Sequence, residues 1–160
     1  MKSAPLPARM LRNPLHWPAL GFGLGAAPFA PGTFGTLLGI PLYLLLAQLP
    51  LTGYLAALVV LFLAGVVVCR VTARALGVHD HPAIVFDEVV GFLVTMTLAP
   101  SGAWAIATGF ALFRLFDIWK PWPIRGIDRR VHGGLGIMLD DVLAGVYALL
   151  ILQLITWVGS

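Results

Sequence analysis

Charge is what this sequence has least of. Only 11% of its 160 residues are Asp, Glu, Lys or Arg, against about 25% in soluble domains. With 59% apolar residues, so little charge cannot cover a water-facing surface, and a bilayer is the natural solvent. Three stretches, 13–69, 89–113 and 142–160, hold no charged residue at all, and such runs are candidate membrane spans. Cysteine is nearly absent too. The one thiol, Cys69, excludes an intramolecular disulfide and a cysteine metal cluster; ending an apolar run, it reads as a small buried hydrophobe. No basic stripe with interleaved aromatics is present, which argues against nucleic-acid binding. Lys2, Arg9 and Arg12 instead form a basic arm that reads as a cytoplasmic topology signal. Proline-rich sequence follows that arm, so no cleavable signal peptide is expected. Internal repeats and low-complexity tracts are also missing.

The few acids are confined. Asp80, Asp87 and Glu88 lie in one short segment; Asp117, Asp128, Asp140 and Asp141 lie in a second, between Phe113 and Gly145. That second segment also carries Arg114, Lys120, Arg125, Arg129, Arg130 and His132. An apolar chain that keeps its carboxylates in two places is keeping a polar site.

The length fits a single membrane-embedded domain, 1–160, with residues 1–15 as an irregular arm. The fold class expected is all-α: a polytopic membrane bundle of about five short helices, with its polar site at the cytoplasmic face. The first helix is capped by Thr33 or Thr36 and ends near Leu49, weakened by Pro41. The second runs from Tyr54 to Leu76, the third from Ala83 or Ile84 to Ala99, and the fourth from Ala103 to Lys120. An irregular loop reaches Gly136, and a fifth helix then begins with Asp140 and Asp141. If the basic arm is cytoplasmic, both charged breaks return to that side and the uncharged turns lie opposite. The third and fourth helices are short for a hydrocarbon core about 30 Å thick, so they span only with their polar ends or form a partial re-entrant hairpin.

Asp87-Glu88 and Asp140-Asp141 are each an acidic pair on an apolar helix. One acid near a helix start is explained by the helix dipole; a second is not, because neighbours point about 100° apart. Two pairs from different helices suit a hard cation with oxygen ligands, as Mg²⁺ requires. Arg114, Asp117 and Lys120 share a helix face. They form either an interfacial ion pair with a snorkelling lysine or a metal-and-phosphate set. Arg125 offers a planar fork for phosphate oxygens, and Trp119 and Trp122 suit the membrane boundary. The Pro31–Thr36 turn opens a helix whose free N–H groups can hold a phosphate, although it is not a P-loop. His132 reads as a proton carrier or a loop hydrogen-bonding group. His79 and His81 read as structural, with Asp80 adding to the acid set.

At these residues the sequence resembles the phosphatidylglycerophosphatase A family of bacterial membrane lipid phosphatases. The likeness is carried by GFGLGAAPFAPGTFGT from Gly21, GVHDHPAIVFDEVVG from Gly77, and FRLFDIWKPWPIRGIDRRVHGGLGIMLDDVLAG from Phe113. It implies Mg²⁺-dependent hydrolysis of phosphatidylglycerophosphate to phosphatidylglycerol and inorganic phosphate, by a multi-pass protein of the cytoplasmic (inner) membrane. It supports Asp80, Asp87, Glu88, Asp117, Asp140 and Asp141 as the acidic set. The expected metal ligands are Asp87, Glu88, Asp117, Asp140 and Asp141. Asp80, Asp117, Lys120, Arg125 and His132 are expected to be catalytic, and Thr33, Thr36, Lys120 and Arg125 to bind phosphate. Two rivals remain. A lipid-headgroup transferase would carry a D-G-x-x-A-R…G…D…D pattern, absent here. A small transporter or channel would place its polar groups near mid-membrane, whereas here they gather at helix ends.

Overall fold

The computed structural model describes residues 6–78 and 81–159, and among these every regular element is helical. Five segments of ten residues or more are helices: α2 (Pro31–Leu46), α3 (Leu51–Leu76), α4 (Phe86–Thr95), α5 (Ala103–Trp119) and α7 (Gly134–Val158). Two short α-helices not anticipated from the sequence, α1 (Ala8–Arg12) and α6 (Ile124–Arg130), accompany them, with two 3-10 segments at Pro14–His16 and Gly21–Ala26. The stretch 121–136, expected to be irregular, is therefore largely helical.

Two starts differ from expectation for physical reasons. Helix α2 begins at Pro31, which needs no N–H partner there; its N-cap is Ala30 in the left-handed region, and no side chain caps it. Thr36 lies inside the helix, and its hydroxyl donates to the Gly32 carbonyl at 2.9 Å. Helix α7 begins at Gly134, so Asp140 and Asp141 sit in its second turn and no acid occupies the first. Dipole capping therefore does not explain this pair. At its other end α4 stops at Thr95, giving a rod of only about 15 Å.

Helix α7 packs against α3, α4, α5 and α6, and α2 lies against α4. One cluster of Phe92, Leu93, Met96, Phe113, Ala148 and Leu152 fills the middle. A second, of Cys69, Ile84, Val90, Ile137 and Met138, joins α3, α4 and α7. The α4–α7 crossing is unusually close. A Cβ on Gly145 would stand 2.4 Å from the Gly91 carbonyl oxygen, so the backbones meet with no side chain between them. At the far end the Tyr54 hydroxyl donates to the Leu93 carbonyl at 2.6 Å.

Helices α3 and α7 are each long and apolar enough to cross a membrane. Only 22% of the most apolar stretch of α3 is buried within the protein. Val59, Val60, Leu63 and Val67 are exposed along it, as no core helix of a soluble domain would leave them. The protein is membrane-associated.

Candidate functional site

Helices α2, α4 and α7 begin, and α3 and α5 end, at the same end of the molecule. Contacts there fix the arrangement. A Cβ on Gly32 of α2 would meet Glu88 of α4 and Arg114 of α5, and one on Gly134 of α7 would meet Val66 and Arg70 of α3. The described acids of both sequence segments are drawn to this end.

Asp87 and Glu88 occupy the first turn of α4. The Gly91–Gly145 crossing brings Asp141 of α7 against them. Asp87, Glu88 and Asp141 each present a carboxylate oxygen within 4.8 Å of the other two. Asp87 and Asp141 are buried, and the Glu88 side chain is only 13% exposed. Glu88 Oε2 and Asp141 Oδ2 are buried with no hydrogen-bond partner among the described residues. Buried carboxylate oxygens without a partner are costly, and several hard oxygen donors facing one another suit a cation of the Mg²⁺ kind. The donor set fits the metal.

Arg114 is the nearest counter-charge. Its Nη1 lies 2.5 Å from Asp117 Oδ2, one turn along α5, and 3.9 Å from Glu88 Oε1 on α4. Asp117 thus reaches the site as the partner of Arg114, close enough to repel both Glu88 and Asp141 electrostatically. The start of α2 closes the other side. A Cβ on Gly32 would fall 2.3 Å from Glu88 Oε1 and 2.9 Å from Arg114 Nη1, so only glycine lets the helix start approach the acids. Thr33 is half-buried one residue on.

Asp140 faces a different way, about 100° around α7 from Asp141. Its Oδ2 lies 2.5 Å from Lys120 Nζ, and Asp128 of α6 lies 3.4 Å from the same ammonium. Burial alone would lower the Lys120 pKa; Asp140, helped by Asp141 and Asp128, outweighs it, and the net shift is upward. Lys120 is therefore a fixed cation committed to carboxylates. Asp140 is not in the three-acid cluster, although the sequence places it beside Asp141.

The other predicted residues are spread out. Arg125 is exposed on α6 and donates to the Trp119 carbonyl at 3.3 Å. His132, also exposed, accompanies Arg70 and Arg74 along a separate cavity of about 620 Å³ between α3 and the start of α7. Thr36 is fully buried, its proton engaged in α2. Asp80 and His79 lie outside the described residues. The sequence offers Arg114 either as an ion-pair partner on its own helix or as part of a metal-and-phosphate set, and its reach to Glu88 on another helix is not legible there. The only available signal was its placement one turn before Asp117.

A family model described as phosphatidylglycerophosphatase A matches residues 17–156. The chain belongs to the phosphatidylglycerophosphatase A family. Membership makes it an enzyme, a lipid phosphatase. A phosphatidylglycerophosphatase A of Escherichia coli is 47% identical over 146 residues, covering 91% of this chain and 85% of that one. That of Haemophilus influenzae is 46% identical over 149 residues, covering 92% and 91%. A Bacteroides thetaiotaomicron protein, provisionally named a phosphatidylinositol-3-phosphatase, is 41% identical over 159 residues, covering 92% and 99%. No solved structure matches the chain.

Proposed function

We propose that this phosphatase removes the terminal phosphomonoester of phosphatidylglycerophosphate, giving phosphatidylglycerol and inorganic phosphate, with Mg²⁺ as its metal. The observation that carries the reading is the buried trio of Asp87, Glu88 and Asp141, drawn from two helices to within 4.8 Å. These three would hold the metal. Mg²⁺, when bound, supplies counter-charge and polarises a phosphoryl oxygen.

The chain's own residues do the rest. The Arg114 guanidinium, already beside Glu88, faces the non-bridging oxygens where charge develops. Asp117 fixes that guanidinium in place. The start of α2 at Gly32 and Thr33 lines the phosphate with backbone, free of any Cβ at Gly32. Asp140 and Lys120 hold α5 and α7 in register beside the trio. Asp80 adds to the acid set, and His132, on the separate cavity beside α3, is the proposed proton carrier. The acid end lies at the cytoplasmic face of the bacterial inner membrane, the apolar helices cross that membrane, and the acyl chains stay in the bilayer.

The test is phosphate release by the purified, detergent-solubilised protein from phosphatidylglycerophosphate, with Mg²⁺ and with a chelator. Release that the chelator abolishes is the expected result. Release that persists in chelator would remove Mg²⁺ from the reading, and none from well-folded protein would remove the substrate.

A further inference from the structure

Two grooves meet at one end of α5, and they differ in character. The first, about 790 Å³, runs along the outer face of α5 and is lined by Ala111, Arg114, Leu115, Ile118, Trp119 and Arg125. Its floor is apolar and uncovered, with Ile118 72% exposed. The second, about 510 Å³, lies between the end of α5 and α6, where Arg125, Arg129 and Arg130 stand with Trp119 and Trp122. None of these three arginines forms an ion pair among the described residues. Arg125 and Trp119 belong to both grooves and form the wall between them.

An aliphatic channel joined to a basic hollow matches an anionic phospholipid. The acyl chain of such a lipid would lie along the exposed outer face of α5, with the basic hollow beside it at Arg125. Arg114, on the lining of the same groove, stands 3.9 Å from Glu88, so the groove is continuous with the acid trio. Resting on the function proposed above, the substrate carries two phosphates of different kinds, a diester next to the diacylglycerol and a terminal monoester, one glycerol apart. Two anions in line call for two cationic places. Arg114 serves the inner place. We propose that Arg125 serves the outer one: it binds the phosphodiester of the lipid while its acyl chain lies along α5, and so selects lipids that carry a diester as well as a monoester.

The experiment compares the wild type with Arg125→Ala and Arg125→Lys in detergent micelles. Hydrolysis of phosphatidylglycerophosphate gives kcat and KM. Inhibition gives Ki for phosphatidylglycerol, which keeps only the diester, and for inorganic phosphate, which resembles only the monoester product. Arg125→Ala should raise KM and Ki for phosphatidylglycerol together by tenfold or more, with kcat within twofold and Ki for phosphate unmoved. Arg125→Lys should recover part of the loss, since it restores charge without the fork. Binding is read independently by quenching of tryptophan fluorescence with brominated phosphatidylglycerol, which the Ala variant should weaken by the same factor. A fall in kcat with both inhibitors weakened equally would overturn the proposal by moving Arg125 to the reacting phosphate. Unchanged quenching would overturn it as well. A wild type that is quenched but releases no phosphate defeats the substrate reading alone, and the quenching series then decides Arg125.

Discussion

Arg114 of α5 stands between two acids of different helices, 2.5 Å from Asp117 and 3.9 Å from Glu88. One guanidinium thereby ties α5 to α4 at the mouth of the three-acid cluster. Replacing it with Ala leaves Asp117 and Glu88 to repel each other without a counter-charge. We expect kcat/KM to fall on the order of 10²- to 10³-fold, the usual cost of losing a preorganised donor. Arg114→Lys should restore only part of this, because a compact ammonium lacks the planar, multi-donor guanidinium. Full activity in Arg114→Ala would remove it from the site.

The trio itself predicts a sharper loss. Glu88→Gln and Asp141→Asn each remove a charge from a group of three donors, and activity should drop about 10³-fold or more if they hold the metal. The Mg²⁺ concentration giving half-maximal residual activity should rise in both. Thermal unfolding separates this from misfolding. Mg²⁺ should stabilise the wild type and have little effect on either variant.

Gly32 predicts a loss of function by crowding. In Gly32→Ala the new methyl would fall 2.3 Å from Glu88 Oε1, so either Glu88 or the start of α2 must move. A shift near 1 Å at a reacting centre costs about 10²-fold in rate, while overpacking costs about 1–3 kcal/mol of stability. Phosphate release and melting temperature, measured on one preparation, check both. An Ala variant as active as wild type would show that α2 does not bear on the acids.

The sequence made part of this arrangement legible. Charge-free runs on either side of the acids located the polar end, and the Pro31–Thr36 turn marked the helix start that closes it. The placement of Asp140 and Asp141 is hidden in the sequence because Gly133, Gly134 and Gly136 look like a loop. Gly134 and Gly136 are helical; Cβ atoms there would fall 1.9 Å from the Val66 carbonyl oxygen and 2.0 Å from that of Val131. These glycines serve close packing, and a single sequence does not distinguish that use from a break. Helix α6 was hidden behind Pro121 and Pro123 for a related reason, since punctuation says where one helix stops and not how soon another starts. The division of labour between Asp140 and Asp141 depends on which neighbour each meets, so it became visible only once α5 and α7 were packed together.

That division gives a fourth prediction, this one about stability. Asp140 is buried and held by Lys120 at 2.5 Å. Lys120→Met would leave the carboxylate without its main partner. The expected cost is about 2–3 kcal/mol, below the 3–5 of a fully buried pair because Lys120 still reaches solvent. Adding Asp140→Leu to Lys120→Met should recover most of it, since no lone charge then remains. Thermal melting of the two single variants and the double variant checks this. Single variants no less stable than wild type would contradict it.

The bare crossing of α4 and α7 at Gly91 and Gly145 would bear on which ion the proposed site takes. Two backbones in contact hold the main chain at Asp141 close to that of the α4 acids, which limits how far their carboxylates can separate. Mg²⁺ binds oxygen at about 2.0–2.1 Å, whereas Ca²⁺ wants about 2.3–2.6 Å and more ligands. A metal site held close in this way would favour the smaller ion. If Asp87, Glu88 and Asp141 hold the metal as proposed, the two missing methyl groups at Gly91 and Gly145, each one turn from those acids, would favour the smaller ion.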